Sequence, residues 1–580
     1  MFKRGLSLFV ILLMLVAALA FAGCEPPEEE VVEEPEEEPE EPEEPEEPEV
    51  VNPAMDMRDN TFIFGTHEHS GVFNPTLYTT VYDAWVVELV FDSLLAVEDD
   101  GTLTTDHRAL AEEVEVDEEE LTYTYHLREG VKFHDGEELT AEDVEFTWYV
   151  LAHPHYDGRF MGNIENIVGA EEYRAGEADE IEGITVIDEY TIEAQAIDPL
   201  AVQKYDLNIP ILPEHYYKWD WDNPEDYDDH FVALNYEPVG TGPFEFVEYS
   251  PDERVEVTAF DDYFLGAPEL DDLILEEVPS EANIPELDAG GLDAVDYTEV
   301  PENVEMMEEI DHAHIHDHMN NGYSYIGVHH EHPILGEQKV RQALMYGFQR
   351  VDWVDSFFEG LGSPAHAPVA PASWAYPGDD AFDHYEYDPE KANELLDEAG
   401  YDEWCEDDQW RLDEDGEPIE LTYETYEEVD WSVEMPVMAQ DNWEDLGIKL
   451  EIEMSEFTTL ADEVRVEQDF ELFNMAWSLA ADPCPYDTFS VERSDPGENN
   501  SGQYHNPEVE ELMEKGRETL DREEREEIYE ELFVKMNEDL PYLFVYFRDE
   551  HFGVNDRVSN FNPSEFQSWT WNAHEISVDY

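Results

Sequence analysis

The residues best equipped for chemistry are histidines and tryptophans set in short local patterns. Within Asp311–Asn320, His312, His314, His316 and His318 alternate, and His329, His330 and His332 follow shortly after. Alternate residues of a strand share one face, so these imidazoles would form a ladder suited to Zn2+, Ni2+ or Cu2+. The competing reading, which we favour, is that His stands in for Lys or Asn on a solvated face of an acid-rich protein. A selective metal site needs a fixed ligand set, which alternation alone does not supply. No metal and no cofactor is therefore expected. His67 and His69 repeat the spacing on a smaller scale. Trp374 and Trp477 offer aromatic faces that could stack on a sugar ring or cover an apolar side chain, and each fits a core position equally well. Carboxylates are so numerous that a pair at glycosidase separation would arise by chance, and sequence distance says nothing of that separation. Gly-x-Ser-x-Gly, His-Glu-x-x-His and phosphate-loop patterns do not occur, so the chain reads as non-catalytic.

These residues are carried by a chain of 580 residues with 150 Asp and Glu against 26 Lys and Arg, a net charge of −124. Nucleic acid is excluded as a partner, because a phosphate backbone demands a basic footprint. Hydrophobic content of 42% and aromatic content of 13% nonetheless suffice for large cores. Acids spread along the whole length suggest a surface adapted to high salt, where self-repulsion is screened.

The first 24 residues carry Lys3 and Arg4, an apolar run Leu6–Ala22, and then Gly23-Cys24. This is the pattern of a secretory signal, and Phe21-Ala22-Gly23-Cys24 resembles a bacterial lipobox. We read residues 1–23 as a lipoprotein signal peptide and Cys24 as the lipidated residue. Residues 24–51 are almost entirely Glu and Pro and form a disordered tether. The body is thus expected outside the cytoplasm, anchored to a membrane. There an oxidising compartment would allow a disulfide between Cys405 and Cys484, although nothing in the spacing brings them together.

Past the tether, Thr61–Gly65 reads as a strand, Tyr82–Phe91 as a helix and Leu121–Leu127 as a strand. A helix then starts near Leu139 with Thr140 as N-cap and Asp143 three residues on. Tyr323–Arg350 is an extended run that stops at His332-Pro333 and passes into a helix from Glu337. Beyond it, strands at Ile419–Tyr426, Ile448–Met454 and Phe470–Ser478 alternate with helices, including Met435–Leu446, as in an α/β unit with a largely parallel sheet. Two charged helices, Glu508–Leu520 and Arg522–Asn537, precede an apolar strand, Tyr542–Phe547.

The run Leu127-Arg128-Glu129-Gly130-Val131-Lys132-Phe133-His134-Asp135-Gly136, continued by Leu139-Thr140-Ala141-Glu142-Asp143-Val144, resembles the signature of the family 5 extracytoplasmic solute-binding proteins of ABC transporters. Pro238-Val239-Gly240-Thr241-Gly242-Pro243-Phe244 and Tyr263-Phe264-Leu265-Gly266-Ala267-Pro268-Glu269-Leu270 agree with it, and similarity runs from about Thr61 to Asn560. The resemblance implies an α/β, two-lobed periplasmic-binding-protein fold of type II with an extra subdomain in lobe I and a hinge of two crossing strands. It places lobe I at 52–322 plus 541–580 and lobe II at 323–540. It also implies a monomeric, non-enzymatic receptor that captures a peptide or other small polar solute by hinge closure and delivers it to the permease of an ABC importer. An oligosaccharide or nickel chelate is the alternative solute, and a secreted carboxylate-dependent hydrolase a remote one.

Strand-end loops would line the cleft, which makes Thr66, His67, Trp374, Trp477, Asp482 and Tyr486 the candidate ligand-binding residues. Many peptide-binding relatives place an Asp three residues after the Trp, for the ligand's α-ammonium. Here that position is Ala480, and Asp482 is the nearest acid. Arg341 is expected to pair with a carboxylate of its own lobe.

Overall fold

The computed structural model describes residues 52–580 except 57–58, 222, 224–225, 298–300, 359–360, 406–408 and 428. The signal sequence, Cys24 and the Glu/Pro tether lie outside the described residues.

The fold opens with β1 (Thr61–Thr66), whose alternation buries Phe62 and Phe64 completely. Helix α1 (Val81–Val90) follows, its first turn capped by the Thr80 hydroxyl, which accepts from the Asp83 N–H at 3.1 Å. Strands β2 (Ala96–Val97) and β3 (Leu103–Thr104) pair across a turn at Asp100-Gly101. Strands β4 (Ala111–Asp117) and β5 (Thr122–Leu127) join β6 (Ile184–Asp188) and β7 (Thr191–Gln195) in a separate four-stranded antiparallel sheet, ordered β4-β5-β7-β6. This sheet is the extra subdomain. Helix α2 (Ala141–Ala152) starts where expected: the Asp143 carboxylate accepts from the Thr140 N–H at 2.9 Å and from its hydroxyl at 3.2 Å.

Strands β8 (Phe244–Ser250), β9 (Arg254–Ala259), β10 (Asp272–Glu277) and β11 (Ala294–Tyr297) build the first half of the main sheet around β1. The chain then runs through β12 (Ala313–Met319), Asn320-Asn321 and β13 (Gly322–Val328) into the second half. There α3 (Gln338–Tyr346) and β14 (Gly362–Pro364) precede β15 (Glu420–Tyr426), α4 (Asp430–Glu444), β16 (Lys449–Ser455) and β17 (Leu472–Ser478). Helices α5 (Pro507–Glu518) and α6 (Arg522–Asp539) lead to β18 (Tyr542–Asn555). The main sheet runs β16-β15-β17-β13-β18-β11-β1-β10-β9-β8, with β12 and β14 also paired to β18.

Two large cores pack separately. One gathers Phe64, Trp85, Trp148, Leu273, Phe552 and Trp569; the other gathers Tyr325, Leu344, Trp443, Leu532 and Phe544. Strand β18 belongs to both. Tyr542–Tyr546 pair with β13, whereas Asp549–Asn555 pair with β12, so one continuous strand of 14 residues crosses from core to core. The second passage is Asn320-Asn321, between β12 and β13.

Two features differ from the sequence reading. In the second core β15 is parallel to β16 and β17, but β13 is antiparallel to both β17 and β18, because the strands that cross between cores run in opposite directions. Helix α4 begins five residues before Met435 and runs through Pro436. The helix tolerates this proline because the carbonyl it leaves without a donor, Ser432 O, accepts from the Thr425 hydroxyl at 2.6 Å.

Candidate functional site

The two sequence signatures prove to be one piece of scaffolding. His134 of the first donates its backbone N–H to Gly240 O of the second at 2.9 Å, and its Nε2 lies 2.9 Å from Gly242 O. Burial pulls the His134 imidazole down to about 4, so it stays neutral. Gly242 N–H donates to Val90 O at 2.8 Å, and a Cβ on either glycine would collide with the Leu89–Phe91 backbone. The block fixes the end of α1 against β8.

The segment after β17 does form a cavity. A pocket of about 200 Å³ is lined by Trp477–Ala480 and Asp482–Asp487 apart from Tyr486, by Asn321 of the crossing, and by Phe566 from the opposite core's side. Asn321 ties the crossing to this loop, donating from Nδ2 to Leu479 O at 3.0 Å and Ala480 O at 3.3 Å. The Trp477 ring stacks on Tyr325 with an interplanar angle of 5° and centroids 6.5 Å apart. A larger concavity, about 820 Å³, is set in the second core beside the hinge and is lined by His366, Tyr376, Asp379, His384 and Phe547 among others.

The remaining candidates separate. Both oxygens of Asp482 accept from Arg525 Nη2 at 2.9 Å, and its Oδ1 also accepts from the Cys484 N–H at 3.0 Å. This carboxylate is neutralised within its own core. Trp374 does not line the pocket; it covers Arg525 and Arg522, whose guanidinium carbons lie 5.2 and 5.3 Å from its ring centre. Tyr486 is turned away as well, donating to Glu492 Oε2 at 2.7 Å beneath the Arg517 guanidinium at 3.9 Å. Thr66 and His67 stand at the C-terminal end of β1 on the other core; Thr66 is fully buried and the His67 ring lies 5.1 Å from Tyr82. His69 is buried next to Asp83, with Nδ1 3.6 Å from its carboxylate.

The two cores touch along a line the sequence did not reveal. Arg522 donates to Asp100 Oδ2 and Thr102 Oγ1, both at 2.7 Å, and the Ala201 N–H donates to Arg517 O at 2.7 Å. A Cβ on Gly101, whose φ is +84°, would come within 2.9 Å of Ala481 O. The glycine therefore serves both the turn and the close approach. Beside this seam, burial pushes the Asp206 carboxyl up to about 7, reinforced by Asp487 and Asp482 across the cleft. The Lys204 ammonium is held below its usual value, first by burial and then by Arg525. No local motif marks these residues; only the doublet Asn320-Asn321, a turn pair ending the histidine run, carried a signal.

Of the four ladder histidines, His314, His316 and His318 lie on β12 and are engaged one by one, while His312 is buried just ahead of the strand. His314 lies 3.0 Å from Asp556 Oδ1, His316 3.0 Å from Pro563 O, and His318 3.5 Å from Glu550 Oε2. Among the described residues no group of three or more His, Cys, Asp or Glu is arranged to hold a metal ion. Cys405 and Cys484 are not bridged, and burial pushes the Cys484 thiol up to about 11. Arg341 is buried and ends α6, donating to Asp539 O, Leu540 O and Asp539 Oδ1. Among the described residues no helix is long and apolar enough to cross a membrane.

Comparison with known proteins accounts for this architecture. The chain is 28% identical over 498 residues to the oligopeptide-binding protein AppA of Bacillus subtilis, covering 84% of this chain and 87% of that protein. It is 28% identical over 511 residues to the dipeptide-binding protein of Escherichia coli, covering 85% and 90%. The structure of AppA from Bacillus subtilis in complex with a nonapeptide superposes with a TM-score of 0.69 at 25% identity, covering 89% of this chain and 98% of that one. The family described as "Bacterial extracellular solute-binding proteins, family 5 Middle" matches residues 107–498. The chain belongs to the family 5 bacterial extracellular solute-binding proteins.

Proposed function

We propose that the chain is the peptide-capturing receptor of an ABC importer, working by closure of its two lobes on the solute and docking of the closed form on a membrane permease. The observation that carries the reading is mechanical. Two separately packed cores share one sheet, are crossed by β18 and by Asn320-Asn321 only a few residues apart, and enclose a cavity contributed by the crossing and both sides. Such a pair of crossings lets the lobes rotate while the backbone ladder stays intact, and a solute that contacts both lobes favours the closed form by its differential affinity. A cavity of about 200 Å³ is smaller than the ~300–1,000 Å³ typical of ligand pockets, so a peptide enters with the lobes further apart than here. The names of the relatives, oligopeptide- and dipeptide-binding proteins, favour peptide as solute.

In this reading lobe I is 52–322 with 541–580 and lobe II is 323–540, with β18 shared at the joint. Trp477 presents its face to the ligand, Asp482 and Trp374 support that wall, and His67 faces it from the opposite lobe with the buried Thr66 behind it. The receptor is monomeric, has no catalytic residues, and is held to the membrane through Cys24. Small-angle scattering of the full chain with a tetrapeptide library, read alongside mass spectrometry of the peptides, tests it. Compaction without hydrolysis is expected; steady product formation, or no change in size with any peptide, refutes it. Cys24→Ser should release the protein from membranes, and unchanged retention would refute the lipid anchor.

A further inference from the structure

The two crossings between the lobes are not paired throughout. Strand β12 pairs with β18 from Ala313 with Asn555 to Met319 with Asp549, and pairing with β13 resumes at Ser324 with Tyr546. Between those two pairs one strand advances from 319 to 324 while β18 covers only 549 to 546, so one side carries two residues more than the other. This is the geometry of a bulge, where a ladder is interrupted and the strand bends. The interruption holds Asn320-Asn321-Gly322. Blocks that turn against each other here keep their pairs on either side.

The two asparagines are fastened to different blocks. The Asn320 N–H donates to Arg548 O at 2.9 Å and its carboxamide donates to Glu550 Oε1, so Asn320 stays with β18. Asn321 belongs to β17 and the loop after it. Its carbonyl accepts from the Leu479 N–H at 2.8 Å, and its Nδ2 donates to Leu479 O at 3.0 Å and Ala480 O at 3.3 Å. Gly322 continues this contact: it pairs with Ser478, and a Cβ on it would lie 2.3 Å from Trp477 O. The change of attachment falls between two consecutive residues, and that is the pivot.

The Asn321 side chain extends the contact past the end of the strand. Strand β17 stops at Ser478, and beyond it a single backbone bond, from the Leu479 N–H, reaches the crossing. A carboxamide has two N–H donors, and Asn321 spends them on the carbonyls of the next two residues. Asn321 and Trp477–Ala480 line the same cavity. One residue further on, Ala481 O is the atom that a Cβ on Gly101 of the opposite lobe would meet. One carboxamide thus connects the pivot, a wall of the cavity and the seam between the lobes.

We propose that Asn321 is a positioning residue for solute capture, whose carboxamide locks the Leu479–Ala480 backbone to the pivot, so that seating a solute on this wall and rotating the lobes become one event. The inference rests on the receptor reading above and names the residue through which closure follows binding. Without the carboxamide the solute itself must order the loop, a cost that appears as lost affinity, and the crossing turns without carrying the wall along.

The test compares the full chain with Asn321→Ala and Asn321→Asp, using the tetrapeptide that wild type retains best from a random library. Calorimetry reads affinity, and small-angle scattering at saturating peptide reads closure. Asn321→Ala should bind about 5- to 10-fold more weakly, the worth of roughly one hydrogen bond, and should compact less than wild type even when saturated. Asn321→Asp, which turns an acceptor towards two carbonyls, should lose at least as much. A merely structural role would lower the melting temperature and leave compaction at saturation complete. Wild-type affinity in both variants, or full compaction of the saturated variants, overturns the proposal. If wild type retains no peptide and does not compact, the receptor reading fails, and hydrogen exchange of the ligand-free proteins decides the role of Asn321 separately. The Leu479 amide should then exchange about 5-fold faster or more in Asn321→Ala, with the β12–β18 amides unchanged; equal protection of Leu479 overturns the proposal.

Discussion

Whether Asp482 is a ligand anchor or an internal ion can be decided by removing it. Its carboxylate and the Arg525 guanidinium are only 5% and 7% exposed, with both oxygens 2.9 Å from Nη2. Arg525 also donates to Gly516 O at 3.0 Å and to the Tyr529 hydroxyl at 2.8 Å, beneath the ring of Trp374. In Asp482→Ala these neutral contacts remain, but the guanidinium charge is left buried without its counter-ion. Breaking a buried pair in this way costs about 3–5 kcal/mol, whereas replacing both partners by apolar groups of similar volume is often neutral or stabilising. Salt does little to such a shielded pair, so the loss should persist in the concentrated salt that suits the surface. Urea, which is uncharged, is the appropriate denaturant. At a slope of about 2–3 kcal/mol per molar, the midpoint for Asp482→Ala should fall by roughly 1–2 M. The double variant Asp482→Leu, Arg525→Met should recover most of that fall. A single variant within about 1 kcal/mol of wild type, or a double variant no better than the single one, would refute the assignment of Asp482 as a structural ion.

Other outcomes follow from the same geometry. Because the Asp206 carboxyl is raised from 3.8 to about 7, the folded protein binds a proton there that the unfolded chain has lost above pH 4. Stability from this group is therefore full below pH 4 and lost as pH rises through 7, by on the order of 4 kcal/mol at about 1.4 kcal/mol per unit. Asp206→Asn should flatten the urea midpoint between pH 5.5 and 8.5 relative to wild type, and parallel curves would count against it. With a net charge of −124, melting temperature should climb as KCl rises from 0.1 to 1 M and the Debye length falls from about 10 to about 3 Å; a fall would contradict the high-salt reading. Since His314 and His316 already have Asp556 and Pro563 O as partners, calorimetry with Ni2+ or Zn2+ should be the same for wild type and for His314→Ala, His316→Ala. A saturable isotherm lost in the variant would restore the metal ladder.

What the sequence showed, and what it hid, follows the range of the interactions involved. The strand read at Thr61–Gly65, the Thr140–Asp143 cap and the long glycine-bearing blocks are local; the strand extends one residue further, to Thr66, and the cap forms where the sequence placed it. Tyr542–Phe547 was visible as an apolar crossing, but β18 continues to Asn555 through Arg548-Asp549-Glu550-His551. Four polar residues resemble a loop in sequence. In the structure they are the part of the strand that passes between the cores, where one face stays near the cleft and charge is tolerated. Helix α4 begins five residues ahead of the Met435–Leu446 expectation, and only the tertiary partner of Ser432 O shows why Pro436 sits inside it. Trp374 and Tyr486 were chosen as aromatic candidates near a loop. What turns them from the cavity is the arginines of α5 and α6, contacts between segments far apart in the chain that no local pattern encodes.

The arginines also bear on the chemistry of the cleft. Arg341, Arg350, Arg411, Arg525 and Arg557 are all buried, and each holds backbone carbonyls: Asp539 and Leu540, Phe544, Leu446, Gly516, and Thr61 respectively. In a chain with 26 Lys and Arg against 150 acids, these guanidinium groups are committed to joints of the fold, ending helices and fastening strands, where five fixed donors serve better than a point charge. A few surface carboxylates pair with lysines, such as Asp262 with Lys132 and Glu398 with Lys339, and with so few cations in the chain the rest are left to the solvent. At the cleft this division has a specific effect. The carboxylates there are Asp206, which burial raises to about 7 with help from Asp487 and Asp482, and Asp487, whose Oδ1 lies 3.0 Å from Arg493 Nη2. The arginines of this seam are thus committed to fastening the fold, and the half-exposed contact of Arg522 with Asp100 should weaken as ionic strength rises, whereas the shielded Arg525–Asp482 pair should not.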